Sequence, residues 1–215
     1  MPRNYKEEIG NIDKEKLIIV EGRDEKYFLL HLLSNKRIEG IQIIDSHGRK
    51  ELTNCINAIK GIEGFEDVTS ILIFRDSESS AQSECNSINY SLRKAGLITT
   101  DIEPFAISNQ NDRKIGLGLF PGKDENGKLY DHGTLEHLCL RLFKEKAHNE
   151  LIKGYISDFQ TKNKEFRYSH KNELHALFSF TNDYVGLKIG ETAEKGGFDF
   201  DSPCLKPFLE MINGI

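Results

Sequence analysis

The sequence predicts an α/β fold, a mostly parallel sheet flanked by helices and followed by a helical C-terminal part. Three observations predict it. Through the first half, short β-rich runs alternate with segments of helical periodicity, the pattern of βαβ units. After Gly96 this alternation stops, and from Gly133 onward helical spacing dominates. The chain has 215 residues, 38% apolar and 29% charged, which suits a folded domain with its own core.

Lys16–Val20 (KLIIV) is a short strand ending at Glu21-Gly22. Asp24 opens an amphipathic helix over 24–34, with Tyr27, Phe28, Leu30, His31 and Leu32 at helical spacing. Residues 41–44 (IQII) form a second strand, closed by the turn Asp45-Ser46-His47-Gly48. A helix over 51–62 carries Leu52, Cys55, Ile56 and Ile59 on one face. Residues 68–74 are the most apolar strand and run into Arg75-Asp76-Ser77-Glu78. A helix over 79–95 follows, with Ser77 or Ser79 as its cap and Gly96 as its stop. Residues 102–107 and 114–120 read as two more strands, the second weakened toward an edge hairpin by Gly116 and Gly118. After the loop 121–127 (PGKDENG), helices are expected over 134–146, 147–160, 171–180 and 204–212, with a less regular one over 187–195. The expected organisation is a core over 1–120 and a loop and mainly helical part over 121–215, packed together as one domain.

There are 29 Lys and Arg against 34 Asp and Glu, a formal net charge of −5. That balance opposes a basic coat over the whole surface but permits a local cationic groove. Apolar runs are far shorter than the ~20 residues needed to span a bilayer, so no membrane partner is expected. The first residues, MPRNYKEEIG, hold no apolar secretory segment. Cys55, Cys85, Cys139 and Cys204 fit neither a disulfide framework nor zinc spacing and are expected as reduced thiols of a cytoplasmic protein. Ligands of parallel sheets bind outside the carboxyl ends of the strands. Three such ends are acidic here, at Glu21, at Asp45, and at Asp76 with Glu78.

At these residues the chain resembles the Toprim family. Val20-Glu21-Gly22-Arg23-Asp24 is similar to its first motif, a strand-end glutamate with a tight Gly turn, and Asp76-Ser77-Glu78 stands where Toprim proteins carry an Asp-x-Asp pair. Gly133-Thr134-Leu135-Glu136 and the tail 191–200 (ETAEKGGFDF) resemble the small stand-alone Toprim-like proteins, and more distantly the Toprim domain of OLD-type nucleases. The resemblance implies that Glu21 serves as a general acid/base or metal ligand and that Asp76 and Glu78 hold Mg²⁺ or Mn²⁺. Glu136 would be an additional metal carboxylate and Asp24 a second-site ligand. Hard cations of this kind take carboxylate oxygens and keep several waters. They relieve the repulsion that otherwise raises the pKa of clustered acids. Glu78 departs from the family's Asp: its extra methylene moves the carboxylate by about 1.5 Å. That implies either a water-mediated contact or a weakened site.

Plainer readings stand beside these. Asp24 also suits a helix N-cap, Glu136 suits the first turn of a helix, and Asp45-Ser46-His47-Gly48 suits a turn. An acid ending a buried apolar strand has little structural purpose, which singles out Glu21 and Asp76. Segment 162–171 (KNKEFRYSHK) concentrates Lys162, Lys164, Arg167 and Lys171 around Phe166 and Tyr168. It suits either a solvated connection or a strip that tracks a phosphate backbone and stacks bases. By the OLD resemblance, Lys171 would stabilise charge developing on a phosphate, with Arg75 and Arg23 as rival cations beside the acidic motifs. No Walker-type Gly-x4-Gly-Lys-Ser/Thr is present. A topoisomerase or a primase would need further modules for which 215 residues are too few. The expected function is Mg²⁺-dependent phosphodiester hydrolysis of nucleic acid. The alternatives are a non-catalytic Toprim-like module working with a partner protein, and a small-nucleotide phosphohydrolase.

Overall fold

The computed structural model describes residues 5–145, 149–163 and 169–215. Among them a five-stranded sheet runs in the order β2-β1-β3-β5-β4. Its strands are β1 (Lys16–Val20), β2 (Ile41–Asp45), β3 (Ser70–Asp76), β4 (Ala106–Gln110) and β5 (Arg113–Phe120). The first three and β5 are parallel, and β4 alone pairs antiparallel, with β5, at one edge. The helices are α1 (Tyr5–Ile9), α2 (Arg23–Lys36), α3 (Leu52–Ile59), α4 (Ala81–Lys94), α5 (Leu135–Leu142), α6 (Asn149–Lys162), α7 (Ser169–Ser179), α8 (Ile189–Glu194) and α9 (Lys206–Asn213). This is the α/β architecture that the alternation predicts.

Pleating sorts the apolar strand residues into two cores. Leu17, Ile19, Ile71 and Ile73 face one layer with Leu52 and Ile56 of α3 and Ile88 and Leu92 of α4. Ile18, Val20, Leu72 and Phe74 face the other, with Phe28 and Leu32 of α2, Leu138 of α5, Leu174 of α7 and Phe208 of α9. The near-continuous apolar runs of β1 and β3 are therefore strands covered on both sides. The C-terminal helices share the second of these cores. Ser80 caps α4 by accepting from the Ser83 amide at 3.2 Å, so the cap lies one residue beyond Ser79. Gly96 closes that helix at φ 68, with the Leu97 amide returned to the Leu92 carbonyl.

Two expectations change. The first strand after Gly96 occupies Ala106–Gln110, not 102–107. Asn89 of α4 explains the shift, because its amide binds both the N–H and the C=O of Ile102 at 2.9 Å and replaces a strand ladder there. β4 then turns into β5 through Asn111 and Asp112, both at positive φ, the two-residue hairpin that matches strand twist. The second correction is that β5 lies inside the sheet, between β3 and β4, not at an edge. Gly116 and Gly118 are not weak points: a Cβ at Gly118 would lie 2.3 Å from the Phe74 ring, and one at Gly116 2.9 Å from Leu72 and Met211. The missing side chains make room for large neighbours. No helix of the described residues is long and apolar enough to cross a membrane, and all four cysteines are free thiols.

Candidate metal centre

The chain leaves β1 toward β2 on one side, then crosses back over β1 to reach β3 on the other. Such a reversal opens a crevice at the carboxyl ends of the two flanking strands. Glu21 follows β1 and Asp76 ends β3, so the two strand-end acids border that crevice. The alternation of β3 turns Leu72, Phe74 and Asp76 toward α2 and α5 and turns Ile71, Ile73 and Arg75 toward α3 and α4.

Asp76 is the focal carboxylate. It is 8% exposed, and its Oδ1 accepts from the Leu135 amide at 2.8 Å, which ties it to the first turn of α5. Burial raises its pKa well above the ordinary carboxylate value, and the charges of Glu25, Glu136 and Glu21 add to the rise. Glu25 sits in the first turn of α2, folded back over Gly22. Burial, then repulsion from Glu21, Asp24 and Glu136, pushes its pKa up to about 7, against the pull of its own backbone N–H. Asp24 is raised by desolvation and by Glu136, while Lys171 and Lys188 oppose the rise.

Glu136 is buried in the first turn of α5. Burial raises its pKa, but the Thr134 hydroxyl and Lys171 outweigh it and leave Glu136 below the ordinary value. Lys171, at the start of α7, places Nζ 3.0 Å from Glu136 Oε1. Next to it, the His170 and His137 rings stack with centroids 4.2 Å apart. Burial and the His170 charge lower His137 to about 4, so that imidazole stays neutral.

Asp76, Glu136, Asp24, Glu21 and Lys171 thus come from β3, α5, α2, the end of β1 and α7 to within electrostatic reach of one another. Other predicted residues lie elsewhere. Glu78 is exposed at φ 50, and its main chain exchanges two 2.9 Å hydrogen bonds with Gly133. Its backbone pins the turn before α5, and its charge acts on His170. Arg75 is 1% exposed and turned toward Glu21 and Glu84, not offered to a phosphate at the surface. Lys162 is exposed at the end of α6, 3.8 Å from Asp158. Lys164 and Arg167 lie outside the described residues.

Two acids of this region escape the sequence reading. Glu25 stands four residues after Glu21, the spacing that carries a strand-end acid into the first turn of the next helix. Glu84 stands on the inward stripe of α4 with Ala81, Cys85, Ile88 and Leu92. A charge amid apolar positions was the available signal for it.

Among the described residues no three His, Cys, Asp or Glu side chains group closely enough to hold a metal by themselves. The donor chemistry nonetheless fits a hydrated hard cation. The ligating atoms on offer are carboxylate oxygens, Mg²⁺ is commonly held through one or two of them and its own waters, and a cation would remove the repulsion that raises Asp76 and Glu25.

Residues 15–215 match the family described as Protein of unknown function (DUF3226). The chain belongs to that family. No curated protein matches it. Two solved structures are similar: the C-terminal region of the Xanthomonas campestris pv. campestris OLD protein phased with mercury, at 16% identity and TM-score 0.42, and the same region phased with iodine, at 14% and 0.44. Each alignment covers 94% of this chain and 96% of that one.

Proposed function

We propose that the protein is a Toprim-type phosphodiesterase that hydrolyses nucleic acid with Mg²⁺ or Mn²⁺. The observation that carries this reading is the burial of Asp76 at the β1/β3 crevice amid Glu25, Glu136 and Glu21, an arrangement whose repulsion a cation relieves. Asp76, Glu25 and Glu21 would each reach the cation directly or through one of its waters, with Glu136 paired to Lys171 beside them and Asp24 toward solvent. A cation bound there supplies charge neutralisation at a phosphate oxygen and a lower pKa for a coordinated water.

The chain's own residues do the rest. The Leu135 amide fixes the orientation of Asp76. Lys171, with its side chain 48% exposed, brings a cation to the mouth of the cluster, where charge builds on the phosphate oxygens. Lys162, with Lys164 and Arg167, would supply phosphate contacts to a bound polymer.

The test is Mn²⁺ binding together with cleavage of single- and double-stranded DNA and RNA, with Glu21→Gln and Asp76→Asn as controls. Metal-dependent cleavage by the wild type, lost in both variants, is expected. A wild type that neither binds Mn²⁺ nor cleaves any polymer ends the enzyme reading. A second reading is a non-catalytic module working with a partner protein, favoured by the pairing of Glu21 with Arg75 and of Glu136 with Lys171, which already satisfies two of the acids. Mn²⁺ binding without cleavage of any polymer would support that module. Turnover of a free nucleotide would instead mark a small-nucleotide phosphohydrolase.

A further inference from the structure

We infer that Arg75 and Glu84 form a positioning pair for Glu21, holding one of its carboxylate oxygens in place so that the other is presented to the metal. This rests on the metal reading above. Arg75 Nε donates to Glu21 Oε2 at 3.3 Å. The same guanidinium places Nη2 3.3 Å from Glu84 Oε2, and Glu84 Oε1 pairs outward with Arg49. Arg75 and Glu84 are each 1% exposed, whereas Arg49 reaches solvent. The result is a chain of alternating charge from the surface, Arg49–Glu84–Arg75, that ends on the acid beside the crevice.

Stability alone does not account for this chain. The positions around it are apolar: Ile71 and Ile73 precede Arg75 on the same face of β3, and Ala81, Cys85 and Ile88 share the inward stripe of α4 with Glu84. A buried ion pair is commonly matched or exceeded in stability by an apolar pair of similar volume. Moreover, Arg75 Nη1 is buried without a hydrogen-bond partner among the described residues, so the network is not fully satisfied. What an apolar pair cannot supply is the contact to Glu21. That residue lies beyond the last residue of β1, where the chain turns at Gly22. The rigid fork of an arginine spans two carboxylates 9 and 54 positions away in sequence, from Glu84 and Glu21. A lysine at the same place offers a single nitrogen. Glu84 balances the buried Arg75 charge, and Arg75 in turn fixes Glu21.

The experiment is calorimetric titration of the full chain with Mn²⁺ alone, in the wild type, Glu84→Gln, the double variant R75M/E84M, Glu21→Gln and the triple variant E21Q/R75M/E84M. The double variant removes both buried charges together and so tests the idea even if Glu84→Gln, which leaves Arg75 unbalanced, does not fold. Circular dichroism checks folding in each case. Loss of an outer partner of a metal ligand weakens metal binding by about 10–100-fold, and that loss is expected for R75M/E84M relative to wild type. In the Glu21→Gln background the same pair of changes is expected to have no further effect, a non-additivity that a purely structural role does not produce. Unchanged Mn²⁺ binding in R75M/E84M, or an equal loss with and without Glu21, overturns the inference and leaves the metal reading standing. A wild type that binds no Mn²⁺ overturns the metal reading itself.

Discussion

Glu25 holds its proton to about pH 7 in the folded chain, against an ordinary value of 4.5. Between those values the folded state binds more protons than the unfolded one, so this residue makes the metal-free protein less stable as pH rises through that window. The displacement corresponds to at most about 3–4 kcal/mol. Glu25→Gln is therefore expected to stabilise the metal-free chain by about 1–3 kcal/mol at pH 8 and to change little at pH 4. Urea unfolding at the two pH values checks it, and equal stability of variant and wild type at pH 8 counts against the cluster. Glu78→Gln is expected to leave that pH dependence intact, because its side chain is exposed and Glu25 is raised by burial and by Glu21, Asp24 and Glu136. The sequence made the strand-end acids visible because an acid after an apolar run is a conspicuous pattern. Glu25 was hidden because an acid in the first turn of a helix has an ordinary explanation in the helix dipole. Arg75 was misplaced for a related reason: its neighbour Asp76 faces the crevice, but adjacent strand residues point to opposite faces.

Among the elements, α9 shows what the edge of the site rests on. Phe208 packs between Phe74, Phe105 and Phe120, with ring centroids 5.7, 5.1 and 5.1 Å away. Phe74 and Phe120 lie on the strands that carry Asp76 and the turn after β5, so this aromatic group links the last helix to the floor of the crevice. Phe208→Ala is expected to cost about 3–5 kcal/mol, as for other large aromatic truncations in cores. Gly118→Ala tests the opposite error, overfilling, and is expected to destabilise by about 1–3 kcal/mol because the new methyl meets the Phe74 ring. Chemical denaturation measures both. Periodicity located the helices and parallel strands well, because each buries a regular stripe. It failed at 102–110, where the Asn89 side chain replaces main-chain pairing, and at β5, where glycine marks close packing and not weakness. Contacts between distant segments decided both places, and such contacts leave no local pattern.

The carboxylates of the candidate site come from different stretches of chain: Glu21, Asp24 and Glu25 after β1, Asp76 at the end of β3, and Glu136 at the start of α5. Only the folded sheet and its two helix starts bring them together. A cation that binds them consequently binds the native state and not the unfolded chain, which ties affinity to stability. At a Mn²⁺ concentration of about 100 times the dissociation constant, this linkage is worth about 2.7 kcal/mol. For a domain of this size that corresponds to a rise in Tm of about 5–10 °C. The rise is expected to be larger at pH 8 than at pH 5, because Asp76 and Glu25 must lose their protons to take the cation and their raised pKa values keep those protons on at the lower pH. Asp76→Asn is expected to abolish most of the rise. Thermal melts with and without Mn²⁺ at both pH values provide the measurement. A rise that is independent of pH, or that survives Asp76→Asn, would place the metal outside the β1/β3 crevice and remove the electrostatic reason for reading the cluster as a site.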